Sequence, residues 1–83
     1  MLELKDTVEL MTSEDYKDRF KAEYLQTKIR YEKLHKMLVK YEAGKLDFTP
    51  TCPISQLMNQ KRYMAEYLKV LEVRAAIEEI ELD

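Results

Sequence analysis

The sequence contains little of what breaks or cross-links a protein chain. Its 83 residues include one glycine, two prolines, one cysteine, one histidine and no tryptophan. A single cysteine excludes an internal disulfide framework and fits a reducing compartment. The N-terminus shows no basic-then-apolar signal pattern, and no apolar run approaches the length of a membrane span. The sequence therefore predicts a cytoplasmic protein with no membrane partner.

The sequence also lacks the residue sets that carry catalysis or bind metal ions. It has no glycine-rich phosphate loop, no pair of cysteines and no pair of histidines. Neither Cys52 nor His35 has a catalytic partner beside it in the sequence. We therefore expect no enzymatic activity, no cofactor and no metal ion. Cys52 is expected to be a small residue near a helix cap, and His35 to be solvated.

The strong helix breakers all lie within residues 43–53, between two segments without any glycine or proline. Gly44 is predicted to be the left-handed residue that ends the first helix. Thr51 or Cys52 is predicted to cap the second helix, with Pro53 in its first turn. A chain with this one interruption is expected to double back on itself.

Apolar residues follow a helical period on both sides of this turn, at alternating spacings of four and three residues. The two stripes are Tyr16, Phe20, Tyr24, Thr27, Tyr31, Leu34, Leu38 and Tyr41, and Leu57, Gln60, Met64, Tyr67, Leu68, Leu71 and Ala75. Antiparallel pairing about the turn aligns them. The sequence predicts an all-α fold, an antiparallel helical hairpin of two long helices at about residues 13–43 and 53–80.

The ends of the chain are less strongly patterned. Residues 1–12 are predicted to form a short N-terminal arm, as a strand or as one to two helical turns, before a hairpin domain at residues 13–83. At the other end, Glu78, Glu79 and Glu81 place negative charge at the carboxyl end of a helix, where the macrodipole disfavours it. We expect that end to fray unless cations of a neighbour meet it.

Each predicted helix carries a second apolar stripe nearly opposite the first. Leu25 and Ile29 mark it in the first helix, and Tyr63, Val70 and Ile77 recur at intervals of seven in the second. A lone hairpin would expose more apolar surface than soluble monomers tolerate, and no disulfide or metal stabilises it. We therefore expect a homo-oligomer, a symmetric dimer or a larger ring, assembled through these stripes.

The net charge of −2 conceals a local imbalance. Residues 28–40 contain five cations and one acid, and the turn brings residues 56–63 alongside them. Such a dipolar hairpin fits head-to-tail packing with copies of itself. It also fits an anionic ligand held by lysine and arginine, with tyrosine or arginine stacked on a base. The negative net charge argues against nucleic acid as the partner.

Longer motifs extend over about residues 13–82. They are Tyr16-Lys17-Asp18-Arg19-Phe20, Glu23-Tyr24, Tyr31-Glu32-Lys33-Leu34-His35-Lys36-Met37, Asp47-Phe48-Thr49-Pro50-Thr51-Cys52-Pro53, and the segment from Gln56 to Arg74. These motifs resemble a family of short phage and prophage proteins named after an open reading frame of a crAss-like phage. The resemblance implies a phage-encoded protein that acts in the host-cell cytoplasm.

A second similarity is one of architecture. Gln60, Met64, Leu71, Arg74 and Ala75 form a pattern similar to that of phage anti-CBASS and anti-Thoeris sponges. Those small helical-hairpin proteins form homo-oligomers, hexamers in known families, and sequester cyclic nucleotide signals without cleaving them. Their N-terminal tyrosine–lysine ligand motif has no counterpart at matching positions here. The similarity implies a dimer or hexamer that binds a cyclic nucleotide or ADP-ribose-type signal and suppresses host immunity.

The basic half and this similarity together define a set of candidate ligand-binding residues. The expected ligand contacts are Arg30, Tyr31, Arg62, Tyr63 and Arg74, with Lys28, Lys33 and Lys61 as phosphate partners. Two other functions stay open at this point. One is a protein-binding inhibitor of a host defence protein, and the other is a small structural or regulatory phage protein.

Overall fold

The computed structural model describes residues 2–82, and every regular element in that range is helical. A 3-10 turn at Leu4–Thr7 leads into the short helix α1 at Val8–Met11. Two long helices follow, α2 at Tyr16–Glu42 and α3 at Ile54–Glu78. The predicted all-α class is confirmed. Met1 and Asp83, the outer ends of the predicted arm and domain, lie outside the described residues, and the boundary between arm and domain stays a prediction.

Helix α2 begins at Tyr16, three residues later than predicted, and Asp15 caps it. The backbone N–H of Lys17 donates to Asp15 Oδ1 at 2.9 Å. Ser13 Oγ accepts from the Asp15 N–H at 3.0 Å and donates to Asp18 Oδ2 at 2.9 Å. The serine hydroxyl therefore orders the loop before the helix, and the aspartate satisfies the first free N–H groups.

The capping residue next to the turn was predicted correctly for α2 but not for α3. Gly44 has a φ of 71°, and the Lys45 N–H donates to the Lys40 carbonyl at 2.8 Å, which is the hydrogen bond of a Schellman cap. The predicted left-handed cap at Gly44 is confirmed. Helix α3 begins at Ile54 with Pro53 itself in the cap position, so the predicted caps at Thr51 or Cys52 are wrong. Among the residues that the structure describes, no side chain caps the start of α3, and the proline ring fixes the φ of Pro53 at −56°.

One hydrophobic cluster holds the two long helices together. It consists of Phe20, Tyr24, Leu68, Leu71, Ala75 and Ile80. Within this cluster, Leu71 is 0% exposed. Contacts between the helices run in opposite order along the chain. Arg74 meets Tyr16, whereas Met58 lines a groove with Glu42. The cluster lies in the half of the molecule far from the turn.

Residues 4–11 pack beside α2 as helical turns. Thr7 is 0% exposed; its hydroxyl donates to the Leu4 carbonyl at 2.7 Å and accepts from Gln26 Nε2 at 2.8 Å. In α2, Ile29 is buried, and Leu25 is half-buried against the core cluster. The expectation that these two residues form an open stripe on α2 is therefore wrong. An apolar pattern in the sequence does not show whether a face is covered within the chain, or by which segment.

The carboxyl end of α3 is held by contacts within the chain. Glu79 adopts φ 56° and ψ 45°, a left-handed conformation, and the Ile80 N–H donates to the Ala75 carbonyl at 2.9 Å. Ile80 is buried in the core cluster and Leu82 packs against it. The apolar contact after the cap offsets the unfavourable charge at this end.

We expect Glu79→Gly to raise the free energy of unfolding by about 0.5–1 kcal/mol. A left-handed conformation costs an L residue about 1–2 kcal/mol, and the greater freedom of unfolded glycine removes part of that gain. Chemical denaturation would measure the difference. Glu81→Gly is the control, because it removes the same charge at a position without positive φ. An equal gain from both variants would assign the effect to charge.

Candidate functional site

The structure distributes the eight predicted ligand residues over several surfaces. Tyr31, Lys61 and Arg62 come together in a groove between α2 and α3, lined by Tyr31, Leu38, Glu42, Met58, Lys61, Arg62 and Ala65. We call it the interhelical groove. Its volume is about 280 Å³. It lies in the half of the molecule near the turn, as the charge pattern predicts.

An aromatic wall and two cations define the chemistry of the interhelical groove. Tyr31 is half-buried, packs against the core cluster and lies nearly parallel to the His35 ring, at 4° and 6.2 Å between centroids. Lys61 and Arg62 supply positive charge from α3, and Glu42 supplies one carboxylate from α2. A flat ring that carries phosphates and hydrogen-bond donors is complementary to such a surface.

Tyr63 holds the Arg62 guanidinium at the edge of this groove. Arg62 Nη2 donates to the Tyr63 hydroxyl oxygen at 3.1 Å, and Arg62 Cζ lies 4.8 Å from the Tyr63 ring centroid. Tyr63 itself is exposed on the outside of α3. An arginine stacked on an aromatic ring already has restricted rotamers. It therefore loses less conformational entropy when it binds an anion.

Two of the predicted phosphate and ligand partners on α2 do not line the groove. Lys28 Nζ lies 5.8 Å from the Tyr24 ring centroid, and the Tyr24 hydroxyl donates to Glu72 Oε2 at 2.7 Å. Arg30 is exposed on the surface of α2. Arg30 is turned about 100° around α2 from Tyr31, whereas Lys28 lies about one turn further from the groove along the helix.

Arg74 connects α3 to the start of α2. Its Nη2 donates to the Tyr16 hydroxyl at 2.7 Å, its Cζ lies 4.9 Å from the Phe20 ring centroid, and its Nε is 3.4 Å from Glu78 Oε2. Arg74 follows Arg62 by twelve residues, or roughly 18 Å along a helix. The structure therefore places it at the opposite end of the molecule from the interhelical groove, with its guanidinium engaged in packing.

A second cation-lined groove was not predicted. It is lined by Lys33, Lys36, Met37, Lys40, Lys45, Leu46, Asp47 and Phe48, and its volume is about 290 Å³. We call it the lysine groove. Only Lys33 belonged to the predicted set, and it lies two residues, or about 200° of helix, from Tyr31. The spacing of Lys33, Lys36 and Lys40 was the signal that identifies this face in the sequence.

One apolar face remains open on α3. Tyr63, Val70, Val73 and Ile77 are each at least half exposed, and Ile77 is 75% exposed. We call these four residues the outer α3 face. A shallow apolar groove of about 430 Å³ lies along it. Seven residues return an α-helix to within about 20° of the same direction, so the stripe runs straight along the helix. Apolar stripes of this kind mark contact surfaces.

Metal-binding clusters and membrane-spanning helices were also considered. Among residues 2–82, no three histidine, cysteine or acidic side chains are arranged to hold a metal ion. In the same part of the chain, none of the helices has both the length and the apolar character that crossing a membrane requires.

Over residues 2–82, the fold and surfaces define a small all-α protein with cation-lined grooves and an open apolar face on α3. Comparison with family models matches residues 14–77 to Sequestin, and the chain belongs to the Sequestin family. The family name indicates a sequestering protein and specifies no ligand. The matched residues include both grooves. Neither the curated proteins nor the solved structures contain a match. The link to the crAss-like phage family stays a prediction.

Proposed function

We propose that the protein is a phage anti-defence protein that sequesters a cyclic or modified nucleotide signal in the interhelical groove. The observation that carries this proposal is the convergence of Tyr31, Lys61 and Arg62 on one groove. Membership of the Sequestin family supports the sequestering role. The host-cell cytoplasm, where such signals diffuse, is the proposed place of action.

In the proposed complex, a base lies against Tyr31 while phosphates pair with Lys61 and Arg62. Stacking and charge-assisted hydrogen bonds are the interactions that bind nucleotides in this way. Glu42, which lines the same groove, accepts a hydrogen bond from an amino group or a ribose hydroxyl. Binding is proposed to be the whole function, with no chemical step, cofactor or metal ion.

We further propose that a second copy completes the site. A groove of about 280 Å³ is small for a cyclic dinucleotide or trinucleotide, which is larger than a single nucleotide. Paired grooves would enclose a larger, pseudo-symmetric ligand. The proposed unit is an antiparallel hairpin of α2 and α3, and the proposed contact is the outer α3 face. A seven-residue apolar repeat on one copy can pack against the same repeat on another copy. Such a contact is compatible with a dimer, or with a hexamer built from three dimers.

Binding assays with candidate signals test the proposal. We expect calorimetry to detect binding of a cyclic dinucleotide, a cyclic trinucleotide or an ADP-ribose derivative. Ligand at a hundred times its dissociation constant should stabilise the fold by about 2.7 kcal/mol in a thermal melt. Chromatography should recover the ligand unchanged after incubation. No binding by any of the three classes, or conversion of the ligand, would contradict the proposal.

A matched pair of variants locates the binding site. Arg62→Gln should weaken binding by about ten- to a hundredfold, because hydrogen bonds to charged groups contribute about 1.5–3 kcal/mol. Lys17→Gln removes the same charge at an exposed position in the first turn of α2, away from both grooves and the outer α3 face, and should bind as the wild type does. Equal losses would indicate a general charge effect instead of a site in the interhelical groove.

The outer α3 face also favours a second candidate function, inhibition of a host defence protein through direct contact. Ile77 is the most exposed large apolar residue in the described part of the chain. A monomer in solution that forms a stoichiometric complex with a purified defence protein would support this alternative. A stable homo-oligomer with Ile77 at its interface would oppose it.

A further inference from the structure

The lysine groove has its own rigid framework. Lys33, Lys36 and Lys40 lie on one face of α2, at spacings of three and four residues. Lys45 joins them because the left-handed Gly44 turns the chain back and the Lys45 N–H bonds to the Lys40 carbonyl. Four ammonium groups are thus directed to one region by a helix and its cap.

The four ammonium groups have no anionic partner in the described part of the chain. The ion pairs there join Lys5 to Glu3 and Arg74 to Glu78. Asp47 is the one acid in the lining of the lysine groove. Like charges at these spacings destabilise a helix. The helix dipole accounts for Lys40 in the last turn of α2 and for Lys45 just beyond it, but not for Lys33 and Lys36.

An exposed aromatic ring completes the lysine groove. Phe48 is 55% exposed, whereas Met37 and Leu46 in the same lining are half-buried. Water-exposed phenylalanine beside several lysines is a poor arrangement for stability alone. It is the arrangement that binds a flat ring attached to phosphates, since the ring stacks and the phosphates pair with the cations.

We propose that the lysine groove is a second ligand-binding site, which takes a free nucleotide with two or more phosphate groups. The phosphates pair with Lys33, Lys36, Lys40 and Lys45, and the base stacks on Phe48. Tyr31 lies on the opposite side of α2 from Lys33, so this site is separate from the interhelical groove. It therefore stands or falls independently of the function proposed above.

The experiment is a calorimetric titration of the full chain with pyrophosphate and with ADP at low ionic strength. The wild type should bind both, ADP more tightly, and both affinities should fall with added salt. The double variant Lys36→Gln/Lys40→Gln should lose about tenfold in affinity for both probes. Phe48→Ala should lose about tenfold for ADP and keep its affinity for pyrophosphate.

Two controls keep the result interpretable. Lys17→Gln/Lys69→Gln removes two exposed cations that line neither the lysine groove nor the interhelical groove, and it should retain both affinities. The ligand-free melting temperature of Lys36→Gln/Lys40→Gln should equal or exceed that of the wild type, because a repulsive cluster has been relieved.

Three results would overturn the proposal. The first is equal pyrophosphate binding by the wild type and the Lys36→Gln/Lys40→Gln variant. The second is a loss confined to a Lys61→Gln/Arg62→Gln variant, which would assign the nucleotide to the interhelical groove. The third is an equal loss of both probes in Phe48→Ala, which would exclude stacking.

Discussion

Leu71→Ala is expected to lower the free energy of unfolding by about 3–5 kcal/mol. Leu71 is fully buried among residues of both long helices, and truncating such a leucine removes transfer energy and leaves a cavity. A chain of this length has a total stability of about 4–12 kcal/mol. The variant should therefore lose at least about a quarter of the total stability. Urea denaturation followed by circular dichroism measures the loss.

Leu2→Ala is the matched control for the core variant. It makes the same chemical change at a side chain that is 46% exposed, and its effect should stay below about 1 kcal/mol. A loss at Leu71 as small as that at Leu2 would mean that α2 and α3 do not share the core described here. In that case the interhelical groove, which depends on the two helices lying side by side, would not form either.

Ile77→Glu is expected to weaken self-association at least about a hundredfold. Every copy in a symmetric assembly presents the same residue, so one substitution places two carboxylates in or near one apolar contact. A central contact residue alone contributes about 2 kcal/mol or more. Size-exclusion chromatography with light scattering should show an oligomer for the wild type at micromolar concentration and a monomer for the variant.

Ala76→Glu provides the control for self-association. It introduces the same carboxylate one residue earlier, about 100° around α3 from Ile77, at another exposed position. It should leave the assembly intact. A monomeric wild type, or equal dissociation of both variants, would contradict assembly through the outer α3 face.

The same variant tests whether a second copy completes the ligand site. Ile77 lies fifteen residues beyond Arg62, or roughly 22 Å along α3, so it does not reach a ligand in the interhelical groove of its own chain. If ligand affinity falls in Ile77→Glu along with assembly, the second copy contributes to binding. If the monomeric variant retains full affinity, one chain suffices.

Local structure was largely readable from the sequence because it depends on local chemistry. Gly44 was identified as a left-handed cap since glycine adopts positive φ without strain, and residues without breakers on either side form α2 and α3. The helix starts were less accurate. Ser13 and Asp15 both suit a cap, and only the loop geometry shows which of them meets the helix.

The candidate sites were only partly readable. The excess of cations near the turn directed attention to that half of the molecule, where both cation-lined grooves lie. Tyr31 and Lys33, two residues apart, nevertheless belong to different grooves, because the groove to which each contributes depends on where α3 and the turn lie. Arg74 matched a pattern in the sequence, yet its guanidinium contacts Tyr16 and Phe20.

The sequence by itself determined that the chain is all-α with one turn. It also determined which helix faces are apolar and which are charged. These properties follow from helical periodicity and from the positions of glycine and proline, which act within a few residues. The tertiary structure alone decided which apolar stripe is covered. The turns at residues 4–11 lie against α2, whereas the outer α3 face has no such cover. That outcome depends on contacts between distant segments, which no local pattern encodes.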